Sequence, residues 1–408
     1  MNSPLTTLIH YPYTPPDGFE APQPGVFKAS TVIFPNTAAM RSRNWKNKTG
    51  YTYGLHGTPT TFLLEERLNA LEGGTQCLLV PSGLAAIANV SLALLKTGDE
   101  VLIPDNAYGP NKTLTEGDLA AYGITHQLYD PMRPDDLARK ISPKTRLVWL
   151  EVPGSVTLEF ADLPTLARIC RDKGVLTALD NTWGAGLAFC AFDFDKGQGV
   201  DVSVQALTKY PSGGGDVLMG SIITRDNALH MRLKLAHMRL GLGVGMNDVE
   251  LVLRSLPSTA LRYHAQDKTA RQLAAALQRQ NAVKQLLHPA FASSPGHAHW
   301  QQLCATPENP AGAAAGIFSV VFDAPQSQVD DFCNRLQLFK LGYSWGGHIS
   351  LVMPYALDEM RDLGRGAVLP GCLVRLCIGL EEAADLERDV AQAYGHAFGH
   401  AWRGQGVH

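Results

Sequence analysis

Two segments stand out because each places a charged residue just after a short apolar run: Val175-Leu176-Thr177-Ala178-Leu179-Asp180-Asn181-Thr182-Trp183 and, further on, Gln205-Ala206-Leu207-Thr208-Lys209-Tyr210-Pro211-Ser212-Gly213-Gly214-Gly215-Asp216. The runs Val175–Leu179 and Val202–Ala206 are continuous, as is typical of strands buried on both faces of a parallel sheet. Open α/β sheets present reactive groups beyond the carboxyl ends of their strands. We therefore expect Asp180 and Lys209 at that edge.

The rest of the first half continues this alternation of strands and helices. A chain of this kind forms a mostly parallel sheet covered on both faces. The further predicted strands are Cys77–Val80, Val101–Ile103, Leu147–Leu150 and Val217–Ile223, and the predicted helices cover about 83–96, 110–122, 162–173 and 226–238.

Three regions are expected along the chain. Residues 1–60 are rich in Pro, Tyr, Thr and Asn and predict an extended arm that lies on a neighbouring subunit. From Thr61 a helical pattern starts an α/β domain, 61–256, and its first helix stops at Gly73-Gly74. Residues 257–408 are predicted as a smaller α+β domain, with helices at 259–281, 325–336 and 383–397 and strands near 316–322 and 373–378.

Composition excludes several classes of protein. The chain has 408 residues, with 35 Lys+Arg against 38 Asp+Glu, so its formal charge of −3 argues against a nucleic-acid or membrane-surface protein. The seven cysteines form no C-x-x-C pair, and the histidine clusters His297/His299 and His396/His400 have no carboxylate at ligand spacing, so no metal is expected. The N-terminus lacks a signal-peptide pattern, which predicts a cytoplasmic protein.

Lys209 and Asp180 together indicate a particular chemistry. A partly desolvated amine has a lowered pKa and suits Schiff-base formation. A buried carboxylate needs a cation, and the protonated ring nitrogen of pyridoxal 5′-phosphate (PLP) is one. Taken singly, Lys209 could be an ordinary surface lysine and Asp180 an ordinary turn cap. A lysine and an aspartate at the ends of two successive strands are a rarer combination than either residue alone.

A phosphate site and an aromatic neighbour are also predicted. Val80-Pro81-Ser82-Gly83-Leu84 supplies a strand, a tight turn and a helix start, whose free amides and positive dipole end attract an anion. Tyr108 follows the next strand and is placed to stack on an aromatic ring, although a packed turn tyrosine is an equal alternative.

In sequence order, these segments resemble the Cys/Met-metabolism family of PLP-dependent enzymes, which has fold type I, with the greatest similarity to its β-lyases. The likeness runs from about residue 30 to 395. It rests on Tyr53-Gly54 with Gly57-Thr58-Pro59-Thr60, Leu71-Glu72-Gly73-Gly74, Asp180-Asn181-Thr182-Trp183, Thr208-Lys209-Tyr210 and Arg375-Leu376-Cys377-Ile378-Gly379-Leu380-Glu381.

The resemblance implies a role for each matching residue. Lys209 is the Schiff-base lysine, Asp180 the partner of the ring nitrogen, and Tyr108 the stacked ring. The cofactor phosphate would lie at Ser82, Gly83, Leu84 and Thr208, while Tyr53 of one subunit would complete its neighbour's site. Arg375 would bind the substrate carboxylate, since a planar guanidinium can hold a carboxylate through two parallel hydrogen bonds. Tyr343, Ser344 and Trp345 would lie beside the substrate.

Trp345 bears on the type of reaction. Relatives that act at the γ-carbon typically have leucine before the two glycines of Trp345-Gly346-Gly347, so tryptophan favours β-elimination from an amino-acid thioether. The resemblance also implies a homotetramer built from dimers. The alternatives are a γ-elimination or γ-replacement enzyme acting on homoserine derivatives, and a binding protein that keeps the fold without turnover.

Three departures from the family pattern affect the expected site. Leu55 stands where the family usually has an arginine that contacts the cofactor phosphate across the dimer interface. The turn 211–216 differs from the Gly-His-Ser-Asp usual in β-lyases, and Ile349 replaces a glutamate found in many relatives. Substrate identity is therefore less constrained by the sequence than cofactor identity.

Overall fold

The computed structural model of the chain contains two β-sheets, each covered by helices. It describes residues 3–13, 16–195, 197–307, 309–357, 361 and 367–403. The helices are α1 (Pro4–Ile9), α2 (Thr37–Arg41), α3 (Pro59–Glu72), α4 (Gly83–Leu94), α5 (Gly109–Leu114), α6 (Pro134–Lys140), α7 (Leu163–Asp172), α8 (Asn227–Leu240), α9 (Met246–Ser255), α10 (Thr259–Gln278), α11 (His297–Cys304), α12 (Gln326–Arg335) and α13 (Ala383–Phe398).

The larger sheet has seven strands in the order β1-β7-β6-β5-β4-β2-β3. The strand pairs from β6 to β3 in this order are all parallel, whereas β7 runs antiparallel to both of its neighbours, β1 and β6. The predicted α/β class with a mostly parallel sheet is confirmed. The strands are β1 (Gln76–Val80), β2 (Glu100–Pro104), β3 (Thr125–Tyr129), β4 (Thr145–Glu151), β5 (Leu176–Asp180), β6 (Val202–Ala206) and β7 (Gly220–Thr224).

Several element boundaries differ from the sequence predictions. The strand expected over Val217–Ile223 begins at Gly220, where its pairing with β1 and β6 starts. The first long helix begins at Pro59 instead of Thr61, because Thr58 caps it and shares a capping box with Thr61. In the helix expected over 110–122, α5 passes into a π-helical turn at Thr115–Leu119. The segment 1–60, expected to be extended, contains α1 and α2, and Leu8 of α1 is buried.

The smaller sheet has the order β10-β11-β12-β9-β8 and is mostly antiparallel. On its third strand Arg375 pairs with Met353 and Ser319, while Val374 and Leu376 enter a core shared with α10, α12 and α13. The alternation of a strand therefore turns Arg375 away from that core. The strands are β8 (Val283–Leu287), β9 (Ile317–Phe322), β10 (Lys340–Leu341), β11 (Leu351–Tyr355) and β12 (Cys372–Cys377).

A buried ion cluster connects the segment after β11 to the larger sheet. Arg361 donates to Glu159 Oε1 at 2.7 Å, to Asp105 Oδ2 at 3.2 Å and to Thr157 Oγ1 at 3.3 Å. The Glu159 side chain is fully buried. Because Asp105 lies three residues before Tyr108, this cluster anchors the loop that carries the tyrosine.

Across the described residues, we find no helix that combines the length and the apolar character needed to cross a membrane.

Candidate active site

Two carboxylates lie side by side at the carboxyl edge of the larger sheet. Glu151 ends β4 and Asp180 ends β5, and the two residues are partners in the parallel register. Asp180 Oδ1 accepts hydrogen bonds from the Thr182 backbone N–H at 3.0 Å and from its hydroxyl at 2.5 Å. Burial raises the pKa of Asp180, whereas Thr182 and the charge of Lys209 act in the opposite direction. Both hydrogen bonds end on Oδ1, which leaves Oδ2 available for a cation.

Lys209 follows β6 and reaches a loop from the smaller sheet. Its Nζ donates to Ser344 Oγ at 2.7 Å and lies 5.3 Å from the centre of the Trp345 ring. Burial, together with the nearby Arg375 cation, lowers the pKa of Lys209 to about 8. Such an amine is partly neutral near pH 7 to 8 and can act as a nucleophile or a base.

The loop that carries Ser344 and Trp345 is held in an unusual conformation. Ser344 has a φ of +90°, and its carbonyl oxygen accepts from Arg375 Nη2 at 3.4 Å and from Cys377 Sγ at 3.5 Å. Gly346 has a φ of +77°, and a Cβ there would lie 3.0 Å from the Tyr210 backbone nitrogen. Glycine at this position therefore lets the loop approach the Lys209 segment closely.

Arg375 is a buried cation to which no described residue supplies a counter-ion. It is 6% exposed, it forms no ion pair with any described residue, and its Nε has no hydrogen-bond partner there. A buried guanidinium is costly unless an anion meets it. Arg375 thus has the properties of a carboxylate-binding group at this site.

Tyr108 caps α5 just beyond β2, and its position depends on one of the two carboxylates. Its backbone N–H donates to Glu151 Oε2 at 2.8 Å. Burial raises the pKa of Tyr108, and the charges of Asp180 and Glu151 raise it further. The phenol is therefore close enough to both carboxylates to interact with them electrostatically.

The turn before α4 is built as the sequence predicts for an anion site. Ser82 caps the twelve-residue helix by accepting from the Ala85 N–H at 3.0 Å. A Cβ on Gly83 would lie 2.7 Å from Ala206 Cβ. Only glycine therefore lets this turn pack so closely against β6. Leu84 follows, partly exposed, and Thr208 Oγ1 accepts from the Met219 N–H at 3.3 Å.

Tyr53 and Tyr343 are the least enclosed of the predicted site residues. Tyr53 is 47% exposed, packs edge-on against the His56 ring at 6.0 Å, and has no contact with Lys209 within the described chain. Tyr343 precedes Ser344 and is 75% exposed. The structure thus brings together Lys209, Asp180, Tyr108, Ser344, Trp345 and Arg375, and leaves Tyr53 outside that group.

Three residues of the site were missed by sequence reasoning: Glu151, Tyr355 and Cys377. Glu151 ends an apolar strand just as Asp180 does, so the same signal would have found it. Cys377 lies two residues from Arg375 on β12, so the period of a strand would have placed it on the same face. Tyr355 gave no local signal, because Arg375, the residue it contacts at the site, lies far away in sequence.

Comparison with known proteins identifies the family. The model of the "Cys/Met metabolism PLP-dependent enzyme" family matches residues 5–395. The chain belongs to this family. PLP is therefore its cofactor, and the fold is the α/β fold of type I, as the resemblance implied.

Relatives within the family carry out different reactions. The chain is 37% identical to the cystathionine beta-lyase of Bordetella avium over 96% of this chain and 98% of that protein. It is 31% identical to the L-alanine/L-glutamate racemase of Wolbachia pipientis, covering 91% of each. The solved structure of cystathionine gamma synthase from Xanthomonas oryzae pv. oryzae has a TM-score of 0.86 at 27% identity, covering 98% of this chain and 99% of that one.

The residues of this member of the family fit its cofactor. Asp180 has a carboxylate oxygen available for a ring cation, and Lys209, whose charge acts on Asp180, has an amine of lowered pKa. The α4 N-terminus adds unpaired backbone N–H groups that suit a phosphate. No described group of three or more His, Cys, Asp or Glu residues is arranged to hold a metal ion.

Proposed function

We propose that this chain is a PLP-dependent carbon–sulfur lyase that carries out β-elimination on L-cystathionine or a related cysteine S-conjugate. With L-cystathionine and one water molecule, the products are homocysteine, pyruvate and ammonia. The observation that supports this most directly is the Trp345 ring, 5.3 Å from Lys209 Nζ. The ring narrows the space beside the lysine in which the substrate side chain lies.

Arg375 and Lys209 provide the groups that act on the substrate. Arg375 binds the α-carboxylate, because it is a buried cation with unused donors. This binding places the α-carbon of the substrate next to Lys209. The Lys209 amine removes the α-proton and then protonates the departing sulfur. Ser344 Oγ, 2.7 Å from Nζ, accepts a hydrogen bond from the amine and orients it.

The cofactor contributes electron withdrawal from the α-carbon when it is bound. Lys209 would hold it covalently, and Asp180 would keep a proton on its ring nitrogen. Tyr108 would stack on the ring, and the Ser82, Gly83 and Leu84 turn with Thr208 would receive the phosphate. Tyr53 from a neighbouring subunit would complete the site.

The assembly and location are also proposals. We place an N-terminal arm at 1–60 on a neighbouring subunit, a PLP-binding domain at 61–256 and a C-terminal domain at 257–408. The exposed Tyr53 supports an arm that acts in trans. We propose a cytoplasmic homotetramer, a dimer of dimers, in sulfur amino-acid metabolism, and sedimentation analysis of the holoenzyme tests the tetramer.

The function is tested by identifying the oxo acid released from L-cystathionine by the holoenzyme. Pyruvate is expected, and Lys209→Ala should abolish it while Lys268→Ala, an exposed lysine, should not. Formation of 2-oxobutyrate would move the enzyme to the γ class, and conversion of L-alanine to D-alanine in place of elimination would make it a racemase. Absence of oxo acid from any cysteine thioether would overturn the lyase assignment.

The rival γ-elimination or γ-replacement reaction on homoserine derivatives requires an additional proton transfer at the site. It requires removal of a proton from the β-carbon as well as from the α-carbon, so the base must move along the substrate. Trp345 and Ser344 both contact the Lys209 amine and restrict this movement. We therefore favour β-elimination.

A further inference from the structure

We propose that Tyr355 is a positioning residue that holds the Arg375 guanidinium in the orientation required to bind the substrate α-carboxylate. The inference rests on the proposed function in one respect, namely that Arg375 binds this carboxylate. It adds a residue that neither the family motifs nor the cofactor site includes.

The sheet register brings the two side chains to one face. In the antiparallel pairing of β11 with β12, Met353 lies opposite Arg375 and Tyr355 lies opposite Leu373. Tyr355 is therefore the diagonal neighbour of Arg375, on the same face of the sheet. Aromatic and long side chains reach each other at this spacing. The Arg375 Cζ atom lies 5.2 Å from the centre of the Tyr355 ring.

Arg375 has few other contacts that could fix its orientation. Its polar contacts among the described residues are the 3.4 Å hydrogen bond from Nη2 to the Ser344 carbonyl and a side-chain contact with the Cys377 thiol, and Nε is unpartnered. No described carboxylate pairs with it. The ring face of Tyr355 attracts the cation without neutralising it, so the guanidinium keeps its donors for an incoming anion.

The ring of Tyr355 matters here more than its hydroxyl. Within the described chain the phenol forms no hydrogen bond, although it lies near Tyr343 and Tyr108 at the site. Burial raises the pKa of Tyr355, so the phenol is neutral at physiological pH. Phenylalanine should therefore replace it with little effect, while an aliphatic residue of similar size should not.

The test compares Tyr355→Leu with Tyr355→Phe in the PLP-loaded enzyme. Binding of L-alanine and of ethylamine, which lacks the carboxylate, is followed by the absorbance of the bound cofactor. We expect Tyr355→Leu to weaken L-alanine binding by about 3- to 30-fold, the range for a partly desolvated cation–π contact. Ethylamine binding should stay unchanged, and Tyr355→Phe should match the parent protein with both ligands.

Two results would overturn the proposal: equal weakening for L-alanine and ethylamine, which would indicate a merely structural role, or no change with either. With L-cystathionine, Tyr355→Leu should raise KM by the same factor and leave kcat within about twofold. If the parent enzyme eliminates no thioether but the two titrations behave as expected, the lyase assignment fails and the role of Tyr355 stands.

Discussion

Trp345 places its ring 5.3 Å from the Lys209 ammonium, on a loop that also supplies the Ser344 hydroxyl 2.7 Å from the same atom. The amine that acts on the substrate is therefore held by a loop of the smaller sheet, although its backbone follows strand β6 of the larger sheet. Substitutions in the loop should alter both the reactivity of Lys209 and the space beside it.

Trp345→Leu should lower the rate of pyruvate formation from L-cystathionine and raise the fraction of 2-oxobutyrate. Loss of the ring removes a cation–π contact, which corresponds to about 3- to 30-fold in rate. It also opens space in which the Lys209 amine can move along the substrate toward the β-carbon. Mass spectrometry of the oxo acids measures both effects. Trp345→Phe, which keeps a ring, should preserve the product ratio; an unchanged ratio in Trp345→Leu would contradict our reading of this residue.

Cofactor capture by the apoenzyme should depend on pH through Lys209. Only the neutral amine attacks the cofactor aldehyde, and the pKa of Lys209 is lowered to about 8 by burial and by Arg375. The capture rate should rise about tenfold per pH unit below that value and level off above it. Stopped-flow absorbance gives the profile.

The profile of an Arg375→Leu variant provides the control for this pH dependence. Removing the neighbouring cation relieves the repulsion on the ammonium, so the pKa of Lys209 should rise and the midpoint should move to higher pH. A midpoint that stays in place or moves down would show that Arg375 does not act on Lys209.

Asp180→Asn should reduce turnover by about 100-fold, because a hydrogen bond to a charged partner contributes about 3 kcal/mol and each 1.36 kcal/mol is a factor of ten. An amide cannot balance the charge of a protonated ring nitrogen. Steady-state kinetics with saturating cofactor measures the loss. Asp135→Asn, at an exposed helix position, should behave as the parent protein; equal rates for both variants would remove Asp180 from the proposed site.

Arg361→Met should destabilise the protein by about 3–5 kcal/mol, the cost of leaving a buried charge without its partner. Glu159 would lose its cation in a fully buried position, and among the described residues it would keep the hydrogen bonds from Asn106 and Thr157. Denaturant unfolding followed by circular dichroism measures the change. The double variant Arg361→Met/Glu159→Leu should lose less stability than the single one, and the reverse order would count against a buried ion pair.

The sequence predicted the larger sheet well because most of its strands are apolar runs, and it placed Lys209 and Asp180 at one edge of that sheet because both follow such runs. It failed where polar residues form strands. Strand β3 (Thr125–Tyr129) begins with Thr-His-Gln and therefore lacks the apolar run by which the other strands were predicted. Long-range partners such as Tyr355 for Arg375 depend on strand register between distant segments. Periodicity within one segment carries no information about that register.

The antiparallel strand β7 has a consequence for how the protein is made. Gln76 of β1 pairs with Thr224, and Gly220 fits so closely against the Ser82 turn that a Cβ there would lie 2.4 Å from the Ser82 carbonyl oxygen. The ribosome must therefore release some 140 further residues after β1 before the anion-binding turn gains its supporting strand, about 7–30 s of synthesis at ordinary rates. Contacts so distant in sequence also form slowly. The anion-binding turn therefore lacks its supporting strand until β7 has been synthesised.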